Sequence, residues 1–381
     1  FDAPLTSNID TLARNYSAWI KSESTETTLA QDGADAFTAT LRQTPGSQGQ
    51  IATLIMGADA AWGESKGPVA PNALPQRSKA SSEAIDAVAA TIDTGGSVAL
   101  LLEHHGVSPE ALAYASKISV KTGCRLFTGT FPARVDGGPG NPEVERLPYF
   151  PEQVLQTLAG VDHLVLVGGE PPASFFAYRG IPGQLIPKGC NVSRLTQKEE
   201  DAVDALARLA ECLGAENESV KTYERREIPR PTGDLETKTI IQAVAATMPA
   251  GLIVATDSGG GNAAHAFCQN SEPNSWLSLT GGAIGQGGPV ATGAALACPD
   301  RPVLAMLGDG GAAYTNQSFW TQARENLNVT TLIFANHSYN ILNVEYARLG
   351  VTEVGEIAAS LFDIGSPELD WVAMAKGFGV P

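Results

Sequence analysis

Three observations predict an α/β chain built on doubly wound parallel sheets. From Glu83 onward, short apolar runs of strand length alternate with stretches of helical periodicity. Most of these runs stop at glycine or a small polar residue, the punctuation of a strand-to-helix turn. A segment holding Pro68, Pro71 and Pro75, from Glu64 to Ser82, separates this pattern from what precedes it.

Taken in order, Ser7 or Asn8 can cap a helix with Ile9, Leu12, Tyr16 and Ile20 on one face. A second helix is expected over Leu29–Leu41 and a buried strand over Ile51–Met56. Two helices and one strand cannot enclose a core, so residues 1–64 are expected to be only the closing part of a larger α/β domain. Residues 65–82 read as a linker. Residues 83–213 read as a Rossmann-like domain, with helices over Glu83–Ile92, Pro109–Thr122 and Pro151–Leu158. Each leads to a strand, over Ser97–Leu102, Arg125–Thr128 and His163–Val167, and a helix over Lys198–Leu213 closes the unit. His104-His105 at a strand end could be a metal pair, but no further His or Cys stands at ligand spacing and a turn is the better reading. Residues 214–236, charged and proline-bounded, form a second linker.

The last unit, residues 237–381, starts with a helix over Lys238–Thr247 and a buried strand over Gly251–Thr256 that ends Asp257-Ser258-Gly259-Gly260-Gly261. A glycine-rich loop, Gly281–Gly288, precedes a small-residue helix over Pro289–Ala297. The most informative stretch is Pro302–Leu342. An apolar strand ends at Gly308-Asp309-Gly310-Gly311, and a helical segment places Phe319, Trp320, Ala323 and Leu327 at helical spacing. A second apolar strand, Val329–Ala335, ends at Asn336-His337-Ser338. Adjacent parallel strands would bring Asp309 and Asn336 together at the edge where open α/β sheets bind ligands. Asp309 is a hard anionic oxygen donor and Asn336 a neutral one, and a main-chain carbonyl can add a third. Three protein oxygens leave about half of a six-oxygen Mg²⁺ shell for phosphate and water. Glycines 308, 310 and 311 leave N–H groups open to an anion beside a helix start. A tight turn with a capping aspartate explains GDG alone; the matched asparagine favours the ligand reading.

Composition is that of a core-forming globular protein, with 43% hydrophobic and 17% charged residues among 381. A net charge of -16 argues against a nucleic-acid partner. No apolar run reaches membrane-spanning length. The five scattered cysteines, with no CxxC spacing, read as reduced cytoplasmic thiols.

GDG at 308–310 followed by Asn336 at a strand end resembles the thiamine-diphosphate motif. The wider stretch resembles the 2-oxo-acid decarboxylase and acetolactate synthase superfamily, in its acetolactate synthase-like and benzoylformate decarboxylase-like branch. FDAPLTSNI and the Ala58–Gly63 run resemble the end of the family's pyrimidine-binding domain. His337 stands where the motif often has a second asparagine. The resemblance implies three domains: 1–64 closing the pyrimidine-binding domain, 83–213 the central domain and 237–381 the diphosphate-binding domain. It implies thiamine diphosphate and Mg²⁺ as cofactors, with Asp309, Asn336 and the Ser338 carbonyl on the metal. Ser258, Gly259, Gly308, Gly310, Gly311, Ala312 and Tyr339 fall at cofactor-contact positions. Ile284 matches the apolar residue that bends the cofactor, and the Gly282 carbonyl matches the acceptor for its exocyclic amine. Gly260-Gly261 replaces a polar Gln-His pair of several synthases.

The implied reaction is decarboxylation of a small 2-oxo acid, with aldehyde release or carboligation, in a homodimer or homotetramer whose site lies between subunits. The glutamate that starts the family's chemistry is expected upstream of Phe1, since the chain looks truncated at both ends. The catalytic residue therefore stays unknown here, and Glu64 lies past the final strand of its domain. Asn340 and Ile341 are candidates to face the substrate. FAD is not expected, because no GxGxxG follows a strand and Gly168-Gly169-Glu170-Pro171-Pro172 would break the required helix. The alternative is a non-catalytic relative or a nucleotide-binding regulatory protein. A dehydrogenase is disfavoured, because the acidic turn would repel a pyrophosphate without a metal.

Overall fold

The computed structural model describes residues 4–42 and 50–381, so Phe1, Asp2 and Ala3 of the FDAPLTSNI stretch lie outside the described residues. Strands β1 (Trp19–Lys21) and β2 (Ala52–Leu54) pair in parallel, with Ile20 opposite Thr53. The helix Leu29–Leu41 makes the crossover such a pair needs. The helix expected to carry Ile9 to Ile20 is shorter, spanning Ile9–Ala13. Asn8 Oδ1 caps it by accepting from the Thr11 N–H at 3.0 Å. Ile20 is instead in β1, because Trp19-Ile20 favours extended backbone and the ladder with β2 satisfies its polar groups.

Six strands follow: β3 (Val98–Leu102), β4 (Arg125–Thr128), β5 (Val135–Gly137), β6 (Glu145–Arg146), β7 (His163–Val167) and β8 (Asn191–Thr196). Five of them form a parallel sheet in the order β6-β4-β3-β7-β8. All five residues of β3 are buried, and they alternate between two cores. Val98, Leu100 and Leu102 meet Ile85, Val88, Leu112, Ile118 and Leu206 from helices Ser82–Asp93, Pro109–Thr122 and Ala202–Cys212. Ala99 and Leu101 meet Phe127, Val154 and Leu164 on the opposite face. Local signals start the helices: Ser81 and Ser108 cap two of them through their hydroxyls, and Asp201 caps the third. That last helix begins after Asp201 rather than at Lys198. His104-His105 forms a short 3-10 turn in which His105 Nδ1 accepts from the Ala202 N–H at 3.2 Å.

The last strands are β9 (Leu252–Thr256), β10 (Asn274–Leu277), β11 (Val303–Gly308) and β12 (Val329–Phe334). They pair in parallel in the order β12-β11-β9-β10, and β5 adds antiparallel to the edge of β10. The chain leaves β9 toward β10 but returns to the other side for β11 and β12, which opens a crevice between the carboxyl ends of β9 and β11. Strands β5, β6, β8 and β10 were not expected. β10 reads Asn-Ser-Trp-Leu, polar enough for a loop, yet Ser275 is buried because its hydroxyl pairs with Asp136 Oδ1 at 2.7 Å and Arg301 Nη2 at 2.9 Å. The helical segment after Asp309 is two helices, Asp309–Tyr314 and Ser318–Arg324, broken at Thr315, whose φ of -139° and ψ of 31° are not helical. The break buries Phe319 but leaves Trp320 51% exposed. Among the described residues no helix is long and apolar enough to cross a membrane.

One clamp joins the helix Asn340–Arg348 to the second sheet. The Arg348 guanidinium donates to both Glu152 oxygens, at 2.6 and 2.8 Å, and lies over the rings of Phe150 and Tyr178. The Tyr178 hydroxyl donates to Glu345 Oε2 at 2.7 Å. The hydrogen bonds from Arg348 hold the Glu152 carboxyl down at about 2. Glu152 is half exposed, so solvent screening limits the pair to about 0.5–1 kcal/mol. A depressed carboxyl stabilises the fold above its ordinary range near 4.5 and ceases to as pH falls through about 2. A double-mutant cycle of Glu152→Gln and Arg348→Met should give that coupling at pH 7 and a coupling that declines as pH falls toward 2; a pH-independent coupling would show that packing, not charge, makes the clamp.

Candidate functional site

The crevice of the third sheet collects the ends of β9, β11 and β12. Register sets their depth: Gly308 stands opposite Phe334, and Met306 opposite Thr256. Asp309 follows β11 and is 4% exposed. Its Oδ1 accepts from the Gly310 N–H at 2.9 Å, and its Oδ2 accepts from the His337 N–H at 2.7 Å. One carboxylate thus binds the end of β11 to the turn after β12. His337 adopts a left-handed φ of 56°, which swings the turn so that this N–H reaches Asp309. Asn336 is exposed, and its Oδ1 accepts from the Ser338 N–H at 3.1 Å. Asp309, Asn336 and Ser338 therefore share one corner.

Gly310 has no room for a side chain there, because an added Cβ would collide with the Tyr339 ring. That ring stacks on Tyr314, with centroids 6.5 Å apart. A hydrogen bond with the Tyr314 hydroxyl, burial and the nearby Asp309 charge push the Tyr339 hydroxyl up to about 12. Gly311 and Ala312 are buried beneath, and Gly308 is half buried.

On the β9 side, the Ser258 hydroxyl accepts from the Gly261 N–H at 2.9 Å and donates to the Met306 carbonyl at 3.1 Å. This caps the helix Gly259–Cys268 and fastens it to β11. Of the N–H groups in its first turn, that of Gly261 is taken by this cap, and those of Gly259 and Gly260 have no acceptor within the helix. The 281–288 loop arrives from β10. Gly281, Gly282 and Gly285 all take positive φ. The Gly282 carbonyl accepts from the Ile284 N–H at 3.1 Å, and Ile284 is left 45% exposed.

Asp257 was not singled out by the sequence reading. It is 7% exposed, and its Oδ2 accepts from the N–H groups of Gly285 and Gly287, at 2.9 and 3.2 Å. Its Oδ1 is buried without a hydrogen-bond partner. A Cβ on Gly311 would lie 3.2 Å from that oxygen. Asp257 therefore fastens the 281–288 loop against the end of β11. Burial raises its carboxyl above the ordinary range, against the pull of its amide donors. The signal was present, since both adjacent strands end in an aspartate followed by glycines and a helix. Ile284 and Ile341 both line one cavity between the second and third sheets, whereas Asn340 does not line it. His104 and His105 lie on the other sheet, and no cluster of three His, Cys, Asp or Glu residues suited to a metal exists among the described residues.

The family model for the thiamine pyrophosphate enzyme C-terminal TPP-binding domain matches residues 257–381. Over its whole length the chain is 41% identical to a Mycobacterium tuberculosis protein provisionally named acetolactate synthase large subunit IlvX, and it covers 73% of that protein. It is 31% identical to a benzoylformate decarboxylase of Pseudomonas aeruginosa over 70% of this chain and 48% of that one. In fold it is similar to the thiamine diphosphate-dependent 4-hydroxybenzoylformate decarboxylase of Rhodococcus jostii RHA1. The TM-score is 0.72 at 21% identity, over 98% of this chain and 72% of that chain.

Removing the Asp257 carboxylate should free the 281–288 loop. Asp257→Ala leaves two N–H groups without acceptors, a cost of about 1–3 kcal/mol for each that stays buried. Hydrogen exchange at Gly285 and Gly287 should accelerate by about ten-fold or more while exchange in β3 stays unchanged. Unaltered exchange at both glycines would show that the loop holds its shape without Asp257.

Proposed function

We propose a reaction class for this chain, which belongs to the thiamine-pyrophosphate-dependent family of acetolactate synthases and 2-oxo-acid decarboxylases. The complete protein decarboxylates a 2-oxo acid with thiamine diphosphate and Mg²⁺, then releases an aldehyde or joins the acyl fragment to a second carbonyl in the manner of acetolactate synthase. The observation that carries this reading is the convergence of Ser258, the 281–288 loop, Asp309 and Asn336 on one crevice.

The residues present fit these groups. Asp309, Asn336 and the Ser338 carbonyl give an all-oxygen donor set with one anionic member, which suits Mg²⁺ and leaves positions for phosphate oxygens. The two strand-end carboxylates, Asp309 and Asp257 with its buried, unpartnered Oδ1, make the crevice anionic, so a diphosphate enters only with a cation. Ser258 and Gly259 at the start of a ten-residue helix, with Gly308, Gly310, Gly311, Ala312 and Tyr339 opposite, would flank the diphosphate. Ile284 would press on the cofactor from below, and the Gly282 carbonyl keeps a lone pair for its amine. The cofactor supplies the electron sink. This chain's residues bind it, orient it and exclude water around it. We assign no proton-transfer residue within this chain.

We further propose that residues 1–64 close a pyrimidine-binding domain, 83–213 form a central domain and 237–381 bind the diphosphate, with linkers at 65–82 and 214–236. A homodimer or homotetramer with the site between subunits is consistent with exposed apolar side chains such as Trp62 (85%) and Ile357 (83%). Five unpaired cysteines fit a cytoplasmic location.

Asp309→Ala should weaken thiamine diphosphate binding in the presence of Mg²⁺ by about a hundred-fold or more, judged from the cost of removing one member of a buried charge pair. Calorimetric titration checks this, and undiminished binding would remove Asp309 from the metal site.

A further inference from the structure

Asn336 and Ser338 stand on a segment with almost no core of its own. No residue from 335 to 361 is buried, although the stretch holds the turn Asn336-His337-Ser338 and the whole helix Asn340–Arg348. Hydrophobic burial therefore does not fix the orientation of this turn. A helix of nine residues is also too short to keep its shape in water unaided. Its position rests on tethers to its surroundings.

Two tethers act at the turn itself. Asp309 Oδ2 accepts from the His337 N–H at 2.7 Å. On the other side, the segment around Asp363 pairs antiparallel with the turn. There the Tyr339 N–H donates to the Phe362 carbonyl at 2.9 Å, and the Ile364 N–H to the His337 carbonyl at 3.0 Å. Phe362 meets the Tyr346 ring edge-on at 5.2 Å, so this second tether leans on the same helix.

The outer end of the helix is held from the second unit. Glu345 and Arg348, three residues apart near that end, carry the attachment, with side chains only 14% and 19% exposed. Arg348 lies over the rings of Phe150 and Tyr178, with centroids 4.6 and 4.4 Å away, while it bonds both Glu152 oxygens. Its Nε stands 3.9 Å from Glu345 Oε2, the oxygen that accepts the Tyr178 hydroxyl. One cation thus sits between two carboxylates from different units. Without it Glu152 and Glu345 repel each other, and Glu345 Oε1, buried with no partner, favours a position nearer water. The helix would carry that release back to the turn over about 12 Å, eight steps of 1.5 Å. Asn336 is exposed and Ser338 half-buried, so the backbone path of the turn is what aims their oxygens.

We propose that Arg348 is a positioning residue for this turn. By fixing the outer end of the helix against the second unit, it aims the Asn336 side chain and the Ser338 carbonyl at the metal position beside Asp309. The inference rests on the cofactor reading given above. Linkage makes it reciprocal: a cofactor and metal that hold the turn also tighten the clamp.

The test uses the full-length protein and titrates thiamine diphosphate by calorimetry at fixed Mg²⁺. Arg348→Met should weaken binding by about three-fold to ten-fold, because the coupling is limited to what the ion pair and ring contacts contribute. Glu152→Gln alters a half-exposed side chain outside the crevice and should weaken binding in the same direction by about two-fold to five-fold. Since both break one clamp, the double variant should lose no more than Arg348→Met alone. Hydrogen exchange in the cofactor-free protein should quicken over 337–348 in each variant and stay unchanged in β3. Undiminished affinity in both single variants, additive losses in the double variant, or exchange that quickens in β3 as well, overturns the inference and leaves the reaction class standing. Failure of the unaltered protein to bind thiamine diphosphate with Mg²⁺ overturns the cofactor reading and this inference together.

Discussion

The carboxylate of Asp309 is the constraint on which the site depends. It is almost fully removed from water, where an unpaired anion would be prohibitively costly. Two backbone N–H groups, from Gly310 and His337, offset that cost and come from different segments. The hydrogen bonds that make the charge tolerable therefore also lock the end of β11 to the turn after β12. Asp257 repeats the device on β9, with amides of Gly285 and Gly287 in place of those at 310 and 337. Two buried carboxylates at the ends of adjacent strands leave a local excess of negative charge. In the function we propose, a divalent cation would relieve it, and a diphosphate would then follow the cation rather than the protein's own charge.

From this pair of anchors the rest of the third unit takes its shape. The sheet order puts β10 and β11 on opposite sides of β9, which leaves the carboxyl ends of β9 and β11 uncovered. The Ser258 hydroxyl holds the helix Gly259–Cys268 by its first turn against β11, and that helix then forms a wall of the cavity between the two large sheets. The second sheet supplies the opposite wall from its aromatic residues, and Arg348 joins the two through Glu152 and Phe150. Its own switch point, between β3 and β7, is filled differently. The Glu103 side chain sits against Gly129 and Gly169, and burial raises its carboxyl. That carboxylate opposes a phosphate group at the position where a doubly wound sheet would ordinarily take one.

The legible parts of the sequence were those in which one physical signal dominates. Leu29–Leu41 and Pro109–Thr122 have the expected bounds, the second because Ser108, Pro109 and left-handed Gly123 mark both ends. Apolar runs buried on both faces, such as Val98–Leu102 and Val303–Leu307, cannot be mistaken for exposed segments. The misses have an equally local cause. β10 and β5 are short and polar, and they exist because Ser275, Asp136 and Arg301 satisfy one another across the sheet. The break at Thr315 carries no proline or glycine, and its hydroxyl is used instead to reach the Gly285 carbonyl. Asp309 stood out because Asn336 lies at matching depth on the next strand. Asp257 has no such sequence partner, since its acceptors are used by backbone amides nearly thirty positions away.

The most direct test of the central claim is a crystal structure of the protein grown with thiamine diphosphate and Mg²⁺. The metal should lie about 2.0–2.1 Å from Asp309 and Asn336 side-chain oxygens, with the diphosphate between the first turn of Gly259–Cys268 and the 308–312 segment. A diphosphate bound elsewhere, or a metal in the crevice that leaves Asp309 uncoordinated, would contradict the account.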